Sequence, residues 1–415
     1  MTTTRRSLIV AAALVVALGL GVFVAGSPQD RPERVSAELP QTDPVPPIYA
    51  LPEIPDPDPR HPKAVAAAVR FLEAMQPDGT YVRSRAGSSA VAPMDVAHAA
   101  IALVSVNRVG AAEAAMTWLY RQITLPGSPD AIDARGVDYS GSWYDDLQTD
   151  GRPEAGSARG RGEGVGMALI ATYAIDARDP GYLNTRIGDH RVANLVGLAT
   201  DYLTRPTMLA PDGRFYHSPA YRVSFNEECA RMTLGLDLAG RMLNRKGNVA
   251  VDQISIAATE GQRALDRGSG LSQGMAYDFY ARSIWGLASP AEARQELAWT
   301  RSTGLVSANG VKNWDWQLTT AATPLTWLRW WAQARTIAPS QTFDYAIAAI
   351  NAGDLGTALD LERRWLPLQR ADGGFDDALV FGPFGSHVGF DAPTSYAVAR
   401  FILLERLLDV VAPAR

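Results

Sequence analysis

The chain has 415 residues, 47% hydrophobic and 20% charged, with a formal net charge of −5, so it is long enough to bury a large core. It holds no Lys/Arg-rich run, which argues against nucleic acid as a partner. A single cysteine, Cys229, excludes an internal disulfide framework and a cysteine-based zinc cluster.

Arg5 and Arg6 precede an uninterrupted apolar run from Leu8 to Ala25, about the length that spans a bilayer. The next basic residues, Arg31 and Arg34, lie farther off and among acids. The asymmetry favours a cytoplasmic N-terminus and an exported remainder. Residues 1–26 are therefore expected to be a signal anchor. A cleaved signal peptide, which would leave a secreted chain, is the rival reading. Residues 27–62 carry Pro44, Pro46, Pro47, Pro52, Pro55, Pro57 and Pro59. They are expected to be an extended, semi-rigid linker that builds no core.

From residue 63 to 415 the pattern is helical. Val65, Val69, Leu72 and Met75 recur at helix spacing, with Lys63, Arg70 and Glu73 elsewhere around the helix. This amphipathic helix ends at Asp78-Gly79-Thr80-Tyr81. A second helix follows from Asp95, small and apolar on nearly every side, as a helix buried all round must be. The sentence recurs at Ser140-Gly141-Ser142-Trp143, Asp212-Gly213-Arg214-Phe215 and Asp372-Gly373-Gly374-Phe375. Asn309-Gly310 leading to Trp314 is a stretched copy, and Ser269-Gly270 followed by Tyr277 a poor one. The glycine supplies a turn with positive φ, and the aromatic plugs the gap between hairpin ends. The apolar partners are expected over roughly 163–175, 225–243, 277–287, 321–334 and 394–408. Six copies with almost no strand pattern predict an all-α chain of stacked hairpins, a closed ring or an open solenoid.

Gln369-Arg370-Ala371-Asp372-Gly373-Gly374-Phe375 and Gln76-Pro77-Asp78-Gly79-Thr80-Tyr81 resemble the Gln-rich, Gly-aromatic repeat of terpenoid cyclases and prenyltransferases. The layout of residues 63–411 is similar to the six-hairpin glycosidase superfamily. Both resemblances imply an (α/α)6 toroid whose cleft lies where the inner helices begin. An acid stands at or before each apolar helix: Asp95, Glu163, Glu227 with Glu228, Asp278, Asp315 and Asp391. Helix capping alone favours acids there. A mouth ringed with carboxylates and aromatics is also what a sugar site needs, and glycoside cleavage takes two carboxyl groups, one kept protonated.

Glu163 and Asp315 are the expected catalytic carboxylates. Asp95, Glu227, Asp278 and Asp391 are expected to line the mouth, with Trp143, Tyr216, Trp314 and Trp316 stacking on substrate. The glycine density of Gly160-Arg161-Gly162-Glu163-Gly164-Val165-Gly166 disfavours a helix start and lets backbone approach a ligand closely. No cofactor and no metal site is expected: no His-Glu-x-x-His, phosphate loop or Asp-x-Asp-Asp occurs. Gly270-Leu271-Ser272-Gln273-Gly274 matches a nucleophile-elbow pattern but lacks the strand before it. The expected function is glycan hydrolysis or elimination, or glycan binding, on the extracytoplasmic side. A non-catalytic toroid and a cyclase-like toroid with altered chemistry are the alternatives.

Overall fold

The computed structural model describes residues 45–54, 58–245, 251–266, 279–312, 336–381, 387–390 and 392–413. None of the described helices is long and apolar enough to cross a membrane. The Leu8–Ala25 run lies outside the described residues.

Among the described residues twelve α-helices alternate between two roles. The outer set is α1 (Pro62–Ala74), α3 (Val109–Arg121), α5 (Val192–Leu203), α7 (Val251–Asp266), α9 (Pro290–Ser302) and α11 (Leu355–Trp365). The inner set is α2 (Pro93–Ser105), α4 (Gly162–Arg178), α6 (Asn226–Arg245), α8 (Ala281–Ile284), α10 (Pro339–Asn351) and α12 (Ser395–Val411). Outer helices bury one face, as α1 does with Ala68, Val69, Phe71 and Leu72. Inner helices are buried on every side: α2 is buried without a break from Val96 to Ser105, and α10 from Gln341 to Asn351. Neighbouring inner helices pack in the circuit α2, α4, α6, α8, α10, α12 and back to α2. The ring closes.

The recurring glycine explains how the hairpins register. Gly141, Gly213 and Gly373 all have positive φ. A Cβ on Gly141 would strike the Leu198 carbonyl of α5, and one on Gly373 the Ala67 carbonyl of α1. Each turn thus seats against the outer helix of the next hairpin, and the last seats against the first. The aromatics of the turns fill the space behind them: Phe215 and Phe375 are fully buried.

Three expectations are corrected. The fifth inner helix is Pro339–Asn351, not 321–334, a stretch that lies outside the described residues. The sequence hides it because Gln341, Thr342 and Asp344 interrupt its apolar text. Second, α4 begins inside the glycine run, at Gly162. A Cβ on Gly166 would stand 2.8 Å from the Arg231 carbonyl oxygen, and one on Gly235 2.6 Å from that of Gly166. The glycines let two inner helices touch backbone to backbone, which outweighs their poor helix propensity.

Third, the proline-rich segment builds core. Ile48–Glu53 forms a 3-10 helix packed against α2, α4 and α12. Pro47 abuts Gly286 just past α8, and Tyr49 packs edge-on against Tyr173 near the end of α4. The Tyr173 hydroxyl donates to Glu53 at 2.8 Å. The segment therefore lies across the C-terminal ends of the inner helices. Ile48 and Leu51 are fully buried, so Leu51→Ala is expected to cost about 2–5 kcal/mol, measurable by urea unfolding. Among the described residues three small sheets decorate the loops. The largest is a three-stranded antiparallel sheet of Thr336–Ile337, Ala378–Phe381 and His387–Phe390.

Candidate active site

Inner helices start at one end of the ring, and that end is the mouth. Asp95 sits in the first turn of α2, Glu163 in that of α4 and Glu227 in that of α6. The N-caps of α2 and α4, Ala92 and Arg161, make no side-chain capping bond. Glu163 and Glu227 both pair with one guanidinium, that of Arg231. All three are buried, at 5%, 4% and 1% exposure. The backbone contact between α4 and α6 places them: without Gly166 and Gly235 the helices would stand too far apart for Glu163 to reach across.

Arg231 also donates to the Met94 sulfur of α2 at 3.0 Å and to the Tyr396 hydroxyl of α12 at 3.4 Å. Tyr396 donates in turn to Asp344 of α10 at 2.9 Å. Asp344 pairs with Arg400 at 2.9 Å, whose guanidinium lies 4.7 Å from the ring centre of Trp285, the residue after α8. One polar chain thus joins five of the inner helices and ends on the residue that follows the sixth. Burial pushes the Asp344 carboxyl up, and Arg400 opposes the shift. His98, fully buried beside Tyr396, is held well below its usual pKa by burial and by Arg400 and Arg231. It is a neutral core histidine. An isoprenoid chamber needs apolar walls; this ring is wired with charge along its axis.

Asp95 differs from the other two acids. It is half-buried and forms no ion pair among the described residues. Burial pushes its carboxyl up to about 6; the Ser84 hydroxyl opposes this, and Asp146 and Asp377 reinforce it. Beside it opens a cleft lined by Pro93, Met94, Trp143, Tyr144, Asp145, Asp146, Arg161 and Val165. A second cavity of about 460 Å³ shares Asp145 and continues along Tyr139, Arg159, His217 and Tyr221. Burial raises the Asp145 carboxyl, with Arg161 opposing. His217 Nδ1 donates to Glu228 at 2.9 Å, and its Nε2 accepts from Arg161 at 3.4 Å. Arg159 lies 5.2 Å from the Tyr139 ring centre and 5.0 Å from that of Tyr144. Flat rings, acids and arginines thus line a groove beside the starts of α2 and α4.

The structure brings Glu163 and Glu227 together on Arg231 and sets Asp95 within electrostatic reach of that guanidinium. Trp143 lines the cleft but is 3% exposed, with its indole N–H bonded to the Leu119 carbonyl at 2.8 Å. Tyr216 is half-buried in the turn before α6. Asp278, Asp315, Asp391, Trp314 and Trp316 lie outside the described residues. Sequence reasoning missed Arg231, Tyr396, Asp344 and Arg400. An arginine four residues after Glu227, in the otherwise uncharged stretch from Cys229 to Leu236, was the available signal.

This arrangement of helices is a six-hairpin α/α toroid of the kind built by glycoside hydrolases. The sequence matches no family model and no curated protein. Solved structures do match. A wild-type glycosidase superposes with a TM-score of 0.62 at 14% identity, over 87% of this chain and 98% of that one. A GH15 glucoamylase from Hypocrea jecorina gives 0.56 at 14% identity, over 85% of this chain and 72% of that one. A GH63 mannosylglycerate hydrolase from Thermus thermophilus, solved with glucose, gives 0.53 at 12%, over 81% and 98%. At these identities the likeness is one of fold.

Proposed function

We propose that the protein is an extracytoplasmic glycoside-processing enzyme, held at the membrane by Leu8–Ala25, that uses Asp95 as proton donor and Glu163 as its carboxylate partner. The observation that carries this reading is a cleft at the starts of α2 and α4, lined by Tyr144, Asp145, Asp146 and Arg161 beside Asp95, whose carboxyl burial pushes up to about 6, with Glu163 and Glu227 paired to Arg231. Protonation of a leaving oxygen needs a raised carboxyl, and stabilising the cationic sugar or activating water needs an ionised one. Tyr144, Arg159 and Tyr139 would hold the sugar rings by stacking and hydrogen bonds. Similar structures have been solved with glucose bound, which supports a sugar ligand of this size.

The test is sugar release by the full-length protein across a panel of oligosaccharides, beside the Asp95→Asn, Glu163→Gln and Asp315→Asn variants. Turnover lost in the first two supports the assignment. Full turnover in Glu163→Gln removes that residue from it, and binding without turnover in every form makes the protein a glycan receptor. Membrane fractionation tests the anchor: a chain recovered in the soluble extracytoplasmic fraction has lost it.

A further inference from the structure

At the far end of the ring from the mouth, the first and last hairpins meet around a second cluster. His61 precedes α1, Glu362 belongs to α11 and Glu405 to α12. His61 Nε2 lies 2.9 Å from Glu362 Oε1, whose side chain is only 4% exposed. Glu405 is fully buried, and neither of its carboxylate oxygens has a hydrogen-bond partner. One donor atom from each of the three residues lies within 4.8 Å of the others.

The neighbouring cations do not satisfy Glu405. Arg60 reaches Glu362 at 3.4 and 3.5 Å and spends Nη1 on the Ala412 carbonyl at 2.8 Å. Its backbone N–H bonds Asp409 Oδ1 at 2.7 Å, and Asp409 Oδ2 is also buried without a partner. Arg406 donates to the Ser105 carbonyl at 2.8 Å. A buried carboxylate without a donor is costly, and it either takes up a proton or holds a cation. Glu362 and Asp409 crowd Glu405 with further negative charge. A cation among the three ligand atoms would engage all three residues.

We propose that His61, Glu362 and Glu405 bind one divalent ion of the zinc or manganese type, which clasps the first hairpin of the ring to the last. One imidazole nitrogen with two carboxylates suits such an ion better than calcium, which takes six to eight oxygens. Partly exposed His61 supplies the freedom to close the donors to the roughly 3.4 Å separations of a tetrahedral site. The sequence holds no trace of the site because its ligands come from opposite ends of the chain.

The test is calorimetric titration of chelator-treated full-length protein with zinc, manganese and calcium separately. One zinc or manganese ion per chain is expected, with a rise in Tm of roughly 3 °C or more at a hundredfold excess over Kd. Glu405→Gln and His61→Ala should each weaken binding at least tenfold with unchanged circular dichroism. If Glu405→Gln does not fold, partly exposed His61→Ala carries the test. Absence of zinc and manganese binding, or binding unaltered in both variants, overturns the proposal. So does a Glu405→Gln chain that is more stable than a wild type unable to bind these ions, since Glu405 is then simply a protonated acid.

Discussion

Arg231→Met is expected to destabilise the ring by about 3–5 kcal/mol. The side chain is 1% exposed and is shared by Glu163 and Glu227, themselves buried. Methionine keeps much of the volume and removes the charge, so two carboxylates remain in the interior without their partner. Against a total stability of about 5–15 kcal/mol, the loss is a large share, readable as a lower urea midpoint. The triple variant in which Glu163 and Glu227 also become glutamine should recover much of it, because the uncompensated charges go too. Arg231→Lys should recover little: a single ammonium does not span two carboxylates as the guanidinium fork does. A methionine variant within about 1 kcal/mol of wild type would sink the view that this trio organises the mouth.

Asp95→Asn is expected to lower kcat/KM about 10²–10⁴-fold while making the protein more stable at neutral pH. The two effects have one origin. The carboxyl is raised to about 6 by burial, from about 3.9 in the unfolded chain. The folded state therefore binds this proton more tightly than the unfolded one. Stability associated with it is fully present below about pH 4 and is lost as pH rises through about 6. Asparagine cannot ionise, so the variant should gain on wild type at pH 7.5 and match it at pH 4. Wild-type kcat/KM should fall as pH rises through about 6, and the residual activity of Asp95→Asn should lack that limb. Urea melts at both pH values and a pH–rate profile read the two halves independently. A variant with unchanged turnover would leave Asp95 as a plain acid at a helix start.

The helical ring was legible in the sequence because its repeat is local. Each glycine-aromatic turn sits beside the helices it joins, and inner helices such as Val96–Ser105 are marked by their lack of polar residues. Ala321–Ala334 drew attention from Pro339–Asn351 for the same reason: polar residues that pair across the ring look, in one dimension, like residues that face water. The site was half legible. Asp95, Glu163 and Glu227 stand out because acids open apolar helices. Arg231, Tyr396 and Asp344 do not, since their partners lie on other helices far along the chain. Asp145 and Asp146 open no apolar helix, yet they line the cleft, because the loop that carries them pairs back beside the start of α2. The proline-rich tether was misjudged on composition: Ile48 and Leu51 are few, but they are fully buried.

That short segment also decides how the ring can be entered. Ile48–Glu53 packs against α2, α4 and α12, and the inner helices are themselves buried on every side. Nothing can be threaded along the axis, so whatever the cleft takes must arrive and leave on the mouth side.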